Sequence, residues 1–180
     1  MNPNKQWQGR KSKAMGEIFE KRIEHALNLY DSLNVAYIQK TPEPFRVIRR
    51  IGDGRFEGYF EKKGQPDFKG VLKDGSTIIF EAKHTDSDRI LQSVVTETQA
   101  DFFDKYQNMG ARCYVMVSLG LSSFYRIPWH IWKDMKSYAG HKYLNAEDMA
   151  EFKLAESSGI IQILEGIKLK ECENNDFSEK

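Results

Sequence analysis

Apolar and polar residues recur with two different periods along this chain, and the change of period predicts its helices and strands. Apolar positions at helical spacing from Gly16 to about Leu33 predict an amphipathic helix. The same spacing predicts helices over Asp88–Met109 and Pro128–Ala139, the second with proline at an early helical position. A further helix is expected over Ala146–Ser157.

Short apolar or alternating runs lie between these helices and predict strands. The strands are expected at Val35–Lys40, Phe45–Ile51, Arg55–Glu61, Pro66–Leu72, Thr77–Lys83, Cys113–Leu119, Phe124–Ile127 and Ile160–Leu164. Glycine-containing turns at 52–54 and 73–75 join two pairs of them into hairpins. Helices and strands in this order predict an α/β fold in which helices pack on a sheet.

The composition is that of one globular domain. With 40% hydrophobic and 12% aromatic residues the chain can bury a core, which excludes global disorder. No apolar run approaches the ~20 residues of a membrane helix, and the N-terminus lacks the apolar segment of a secretory signal. Cys113 and Cys172 lie far apart and form no CxxC motif. We therefore expect free thiols, a cytoplasmic location and no membrane partner.

The net charge is only +1, but the positive charge is collected in two segments. Residues 1–13 contain four Lys or Arg and no acid, and they predict a flexible basic arm. Residues 40–73 contain nine Lys or Arg against five Asp or Glu. Such segments suit a phosphate-binding surface, with a solvated arm as the alternative. We expect a single domain at 14–168, followed by an acidic tail at 169–180.

The first predicted hairpin combines arginine with aromatic residues. The arginines are Arg46, Arg49, Arg50 and Arg55, and the aromatic residues are Phe45, Phe56, Tyr59 and Phe60. Arginine and aromatic side chains together suit distorted or unpaired nucleic acid, through phosphate contacts and stacking. We predict that the four arginines bind DNA and that Lys11 and Lys13 contact backbone phosphate. The alternative is a solvated hairpin or a dimer contact.

The segment GQPDFKGVLKDGSTIIFEAKHT places polar residues at the end of an apolar strand. Because strand side chains alternate, Glu81 and Lys83 share one face, and Asp67 lies roughly across from them on the neighbouring strand. Two close carboxylates repel, and a divalent cation relieves that repulsion. Mg²⁺ takes one or two carboxylates, and the carbonyl of Ala82 offers a further oxygen. With Lys83 to hold water or stabilise charge, this set predicts phosphodiester hydrolysis, against the alternative of a solvated strand face.

The arrangement PD, a spacer and Glu-Ala-Lys resembles the PD-(D/E)XK nuclease motif, and more of the chain resembles RecU-type Holliday junction resolvases. The matching stretches are GEIFE opening the first helix, YIQKTPEP, EGYF, QPDFKGV, IIFEAKHT, Thr98-Gln99, CYVMVSL and FYRIPW. They cover roughly residues 14 to 132. The predicted hairpin occupies the place of the family's stalk but is shorter, and Pro66 stands where the family often has a hydroxyl residue.

The resemblance implies a restriction-endonuclease-like core with a mixed central sheet and a projecting, stalk-like basic β-hairpin. It implies a homodimer that nicks four-way DNA junctions symmetrically, uses Mg²⁺ or Mn²⁺, and works beside a branch-migration helicase in a bacterial cell, encoded by the host or by a phage. The catalytic positions that it implies are Glu20, Asp67, Glu81, Lys83 and Gln99. The metal positions are Asp67, Glu81, Ala82 and Glu20.

Several alternatives stay open on the sequence alone. Glu17 is a rival of Glu20 by helical spacing, and His84 points away from Glu81 and Lys83, which favours a structural role or a phosphate contact. The remaining histidines lack metal-ligand spacing, so no zinc site is expected. Two other functions remain: a related endonuclease acting on duplex or flap DNA, and a non-catalytic junction-binding protein on the same scaffold.

Overall fold

The structure is a computed structural model that describes residues 3–60 and 64–169. The helices are α1 (Pro3–Ser32), α2 (Glu97–Asn108), α3 (Trp129–Lys133) and α4 (Met135–Ala139), with 3₁₀ turns at Gln92–Val94 and Ala150–Phe152. The strands are β1 (Ala36–Lys40), β2 (Phe45–Gly52), β3 (Arg55–Phe60), β4 (Phe68–Leu72), β5 (Thr77–Thr85), β6 (Arg89–Leu91), β7 (Arg112–Leu119), β8 (Ser123–Pro128), β9 (Tyr143–Asn145), β10 (Lys153–Leu154), β11 (Glu156–Ser157) and β12 (Ile160–Ile161). Residues 170–180 of the expected acidic tail, and Glu61 of the expected strand, lie outside the described residues.

A six-stranded mixed sheet in the order β1-β4-β5-β7-β8-β10 forms the centre of the fold. Strands β5 and β7 are parallel, whereas the other neighbouring pairs are antiparallel. The carboxyl ends of β5 and β7 therefore meet at one edge of the sheet. The prediction of an α/β fold with a mixed sheet flanked by helices is confirmed.

Each face of the sheet packs against its own set of helices. Phe19 and Ile23 of α1 pack in one buried cluster with Phe80 of β5. Ile79, the preceding residue of β5, belongs to the opposite cluster, where it joins Phe103 of α2 and residues of α3. Strand β5 is thus covered on both sides, and its alternation fixes which side chains face α1 and which face α2.

Helix α1 begins at Pro3, well before the predicted start at Gly16, so the expected arm is helical wherever it is described. Apolar periodicity marks only the packed half of a helix, and the fully buried positions of α1 begin at Phe19. The preceding turns are rich in Lys, Gln and Arg, which favour helix without burial. Lys11 also forms an ion pair with Asp86 at 3.0 Å, which ties this half of α1 to the loop after β5.

The predicted helix over Asp88–Met109 is wrong in its first part. Residues Arg89–Leu91 form strand β6, which pairs with β9, and a 3₁₀ turn follows. Ile90 is buried between exposed Arg89 and Leu91, which is the period of a strand rather than of a helix. Helix α2 begins only at Glu97, where Thr96 provides a side-chain cap.

The C-terminal third also differs from the prediction. The helix expected over Pro128–Ala139 is interrupted at Asp134 and forms α3 and α4. The helix expected over Ala146–Ser157 is wrong, because this stretch forms a 3₁₀ turn and the short strands β10 and β11. The strand expected over Ile160–Leu164 is limited to β12. Positive φ angles of 52° at Ser158 and 78° at Gly159 reverse the chain between β11 and β12, which ends any helix there.

The structure also bears on the membrane and thiol predictions. Within residues 3–60 and 64–169, no helix has both the length and the apolar character that crossing a membrane requires.

Cys113 is a buried free cysteine, and burial raises the pKa of its thiol to about 12. It therefore stays protonated at neutral pH, as its predicted place in an apolar strand suggests. Cys172 lies outside the described residues.

Candidate active site

Glu81 forms the centre of a polar cluster in the second half of β5. The residue is only 1% exposed, and its carboxylate accepts hydrogen bonds from three groups. The backbone N–H of Asp67 donates at 3.2 Å, Lys83 Nζ donates at 2.7 Å, and the side-chain amide of Gln99 donates to Oε1. A carboxylate that is buried without donors would be costly, and these three contacts supply donors that hold the Glu81 side chain in place.

Asp67 faces Glu81 across the β4–β5 hairpin, as the sequence predicts. Phe68 pairs with Phe80, which brings the preceding residue Asp67 opposite Glu81. Asp67 Oδ2 accepts the backbone N–H of Ala82 at 2.9 Å. Burial, followed by the nearby charge of Glu81, raises the pKa of Asp67 to about 7. The two carboxylates therefore repel each other as the sequence argument requires.

Lys83 lies on the same face of β5 as Glu81, and its side chain is 23% exposed. Its ammonium group contacts Glu81 Oε1 and also retains access to solvent. Because a lysine ammonium has three donors, Lys83 can bind Glu81 and still donate to an approaching phosphate. This arrangement places a positive charge next to both carboxylates.

Gln99 links the cluster to the first turn of α2. Thr96 and Gln99 form a capping box: the Gln99 N–H donates to Thr96 Oγ1 at 3.3 Å, and the Thr96 N–H donates to Gln99 Oε1 at 3.1 Å. With its carbonyl oxygen engaged in the cap, the amide nitrogen of Gln99 points to Glu81. Gly64 allows the segment before Asp67 to approach closely, because a Cβ there would lie 2.7 Å from Thr98 Cβ.

Glu20 does not join Asp67 and Glu81 in this structure. Its carboxylate binds Lys40 Nζ at 2.6 Å, and Lys40 also contacts Glu24 at 3.5 Å. The hydrogen bond to Glu20 raises the pKa of Lys40. Glu20 is nevertheless near enough for its charge to contribute to the raised pKa of Asp67. Its rival Glu17 lies away from this contact and pairs with Lys13 at 3.9 Å.

The donor set fits a hard divalent cation. No group of three or more His, Cys, Asp or Glu side chains that could hold a metal ion occurs within residues 3–60 and 64–169. Two facing carboxylates and a neighbouring backbone carbonyl match Mg²⁺, which takes one or two carboxylates and otherwise uses water and phosphate oxygens. Burial and the charge of Glu81 raise the pKa of Asp67, and a divalent cation bound beside the two carboxylates would favour their ionised forms.

His84 lies on the other face of β5, as predicted, and is not part of the cluster. Its side chain is 2% exposed, and its ring nitrogens lie 3.2 Å from Ser118 Oγ and 3.1 Å from Asp86 Oδ1. Asp86 in turn binds Lys11. Through these contacts His84 connects β5, β7 and the basic half of α1.

The predicted DNA-binding arginines lie on a hairpin that stands apart from the central sheet. Among the residues that the structure describes, β2 and β3 pair only with each other, and β2 is exposed over Phe45–Ile51. Arg49 forms an ion pair with Glu57 on the partner strand, and Arg55 lies 4.0 Å from Asp53. The hairpin also exposes apolar side chains, including Ile48 (64%) and Phe56 (52%). A two-stranded ribbon of this kind gains little stability from its own packing, which favours a bound state with a partner.

Two residues that contact predicted site residues have no place in the sequence prediction. Lys40 is the last residue of β1 and reaches Glu20, although the sequence alone shows it only as the end of a predicted strand. Thr96 had no assigned role, and its capping box orients Gln99. A Thr-x-x-Gln pattern before an apolar run would have identified Thr96 as a helix start.

Known proteins resemble this chain over most of its length. The family model for recombination protein U (RecU) matches residues 14–169. A curated relative, Holliday junction resolvase RecU of Streptococcus gordonii, is 30% identical over 123 residues, which cover 63% of this chain and 60% of the relative. The chain thus spans less than two thirds of that relative's length. A solved structure of Hjc, a Holliday junction resolvase of Archaeoglobus fulgidus, covers 78% of this chain and 90% of its own, with 14% identity and a TM-score of 0.47.

Proposed function

This chain belongs to the recombination protein U (RecU) family, and from that membership we propose that it is a metal-dependent endonuclease that resolves four-way DNA junctions. The observation that carries the proposal is the meeting of Asp67, Glu81, Lys83 and Gln99 at β5. Carboxylates for a metal ion, a partly exposed ammonium group and a fixed amide are the parts that phosphodiester hydrolysis needs. The S. gordonii relative, which carries the resolvase name, supports the choice of substrate.

Each residue of the cluster has a distinct proposed role. Asp67 and Glu81, with the carbonyl of Ala82, hold Mg²⁺ or Mn²⁺, and Gln99 keeps Glu81 in its orientation. The bound ion would polarise the phosphate and acidify a water molecule. Lys83 donates to the oxygen on which negative charge develops. Glu20 assists by adding negative charge near Asp67, and Lys40 holds Glu20 in place.

The substrate would be selected by shape. Two active sites related by a two-fold axis could cut opposing strands of a two-fold junction, so we propose a homodimer that nicks symmetrically. The arginines of the β2–β3 hairpin would bind phosphates at the branch point, and Lys11 and Lys13 would bind those of an arm. A branch-migration helicase as partner, the cytoplasm as location, and a bacterial or phage origin are further expectations from the family.

A comparison of three labelled DNAs tests the function. A four-way junction, a flap and a plain duplex would be incubated with the wild type and with Glu81→Ala, in Mg²⁺ and in EDTA. We expect paired nicks in the junction alone, and we expect them to disappear with EDTA or with Glu81→Ala. Glu147→Ala, at an exposed position away from the cluster, is the matched control and should cut like the wild type.

Two outcomes would replace the proposal with one of its rivals. Equal cutting of duplex or flap would keep the nuclease and discard the junction as its substrate. Tight junction binding without cutting in Mg²⁺ or Mn²⁺ would assign the chain to the non-catalytic class.

The arginines of the β2–β3 hairpin predict how junction binding depends on salt concentration. Arg50→Gln with Arg55→Gln should weaken junction binding and make it less salt-dependent, because the slope of log K against log salt falls by about 0.9 for each phosphate that is no longer neutralised. Arg49 is kept, because it already pairs with Glu57. Fluorescence anisotropy at several salt concentrations measures the slope. Lys153→Gln, on β10 at the far edge of the sheet, is the control and should leave it unchanged. An unchanged slope in the double variant would show that the hairpin does not bind phosphate.

A further inference from the structure

A pocket of about 750 Å³ lies between the first turn of α2 and the end of α3. Pockets of this size hold small organic groups. Its lining includes Leu91 and Val95, the first-turn residues Thr96 and Glu97, and Trp129 and Trp132 of α3. None of these residues has a part in the catalytic roles proposed above, except that Thr96 orients Gln99.

Thr96 connects the pocket with the catalytic cluster. The residue lines the pocket, and it also forms the capping box with Gln99, whose amide donates to Glu81. The pocket is therefore joined to the catalytic carboxylate through the Thr96–Gln99 pair. Some of the residues that line the pocket and the residue that holds Glu81 therefore share the start of α2.

The lining suits a nucleobase. Leu91 is 51% exposed and offers an apolar surface, which suits the flat face of a base. Glu97 offers a carboxylate that can accept a hydrogen bond from a base edge. Trp132 is 1% exposed, and its indole N–H has no hydrogen-bond partner among the described residues. Such a buried donor is costly unless an acceptor arrives.

The cationic rim suits the phosphates on either side of that base. Lys133 and Lys142 both line the pocket. Lys133 binds Asp104 at 2.8 Å, yet its side chain remains 58% exposed. A lysine with three donors can keep that contact and also bind a phosphate. With two lysines against the one carboxylate of Glu97, the lining has a net positive charge, which together with its apolar walls matches a nucleotide better than an uncharged ligand.

We propose that this pocket receives one unpaired nucleobase of the cut strand, beside the scissile phosphate, and thereby sets the base preference of cleavage. The inference rests on the proposed function. At a branch point a base costs less to unstack than inside a duplex, which makes such insertion accessible to a junction enzyme. On uniform, fully paired DNA no base would enter the pocket.

Fluorescence of 2-aminopurine tests the insertion without any cleavage. The probe is placed at successive positions around the cut sites of a four-way junction, which is bound by the protein in EDTA. We expect a fluorescence rise at one position next to the cut, where the probe leaves the stack. Ala100→Leu, which fills the pocket, and Leu91→Ala, which removes an exposed wall, should both abolish the rise. Gln107→Leu, exposed at the far end of α2, should keep it.

Cleavage rates give the second readout. With each of the four bases at the responsive position, wild-type rates should differ by about tenfold, the scale of one stacked base. Both pocket variants should reduce this range to about twofold while still cutting. No fluorescence rise at any position, or a rise that survives in Leu91→Ala, would overturn the pocket as a base site. Absence of cleavage on every DNA would instead overturn the proposed function. The fluorescence experiment would still show whether a base enters the pocket.

Discussion

Replacing Asp67 with asparagine should reduce junction cleavage by about 10³-fold or more, because a metal ion typically contributes several kcal/mol to such a reaction. The substitution preserves shape, and the asparagine carbonyl can still accept the N–H of Ala82. What it removes is the negative charge that would hold the cation beside Glu81. Single-turnover cleavage of a labelled four-way junction in Mg²⁺ measures the effect.

Binding separates a defect in chemistry from a defect in substrate affinity. Asp67→Asn should bind the junction in EDTA as tightly as the wild type or more tightly, since one negative charge near the phosphate is gone. Asp31→Asn, at the exposed end of α1, is the control and should cut normally. An Asp67→Asn protein that cuts within tenfold of the wild type would refute the assignment of the metal site.

The same substitution should stabilise the metal-free protein at high pH. Burial and the charge of Glu81 raise the pKa of Asp67 to about 7, from an ordinary value of 3.8. The folded state therefore holds this proton more tightly than the unfolded state, and the stability that it contributes is complete below about pH 4 and is lost as the pH rises through about 7. Asparagine cannot ionise, so Asp67→Asn avoids that loss.

Melting temperatures in EDTA measure this effect. Each pKa unit corresponds to about 1.4 kcal/mol, and each kcal/mol shifts the melting of a chain of this size by about 2–4 °C. We expect Asp67→Asn to melt roughly 5 °C or more above the wild type at pH 8, and the difference should shrink towards pH 5. Mg²⁺ should raise the melting temperature of the wild type and leave the variant nearly unchanged. A variant that is less stable than the wild type at pH 8 would show that Asp67 carries no electrostatic penalty.

The geometry of the proposed catalytic cluster could be predicted from sequence because it depends on short-range rules. A hairpin turn at 73–75 sets the register of β4 against β5, and strand alternation then places Asp67 opposite Glu81 with Lys83 on the same face. The roles assigned to these residues remain predictions until the variants are measured. Lys40 could not be predicted in the same way, because its partner Glu20 is far away in sequence and only the packing of α1 on β1 brings them together.

Helix prediction failed in two places for two physical reasons. The start of α1 carries no apolar stripe, so periodicity cannot detect it, although its residues are good helix formers. At Arg89–Leu91 a helix was predicted where a strand forms. The apolar residues there have nearly helical spacing, but the segment pairs with β9, which lies more than fifty residues further along the chain. A partner so distant in the chain overrides local preference, and sequence spacing alone does not reveal it.

Local unfolding at the start of α2 would disturb the proposed catalytic cluster, because the capping box at Thr96 and Gln99 holds the amide that contacts Glu81. Helix ends fray more readily than helix centres, and the first turn of α2 depends on the Gln99 side chain for its closure. When that turn opens, Glu81 loses its amide donor, whereas its contacts with Asp67 and Lys83 do not involve α2. The amide protons of this turn should then exchange with solvent in the same opening that separates the Glu81 carboxylate from Gln99. Heat would therefore inactivate such a centre at temperatures where most of the fold still persists.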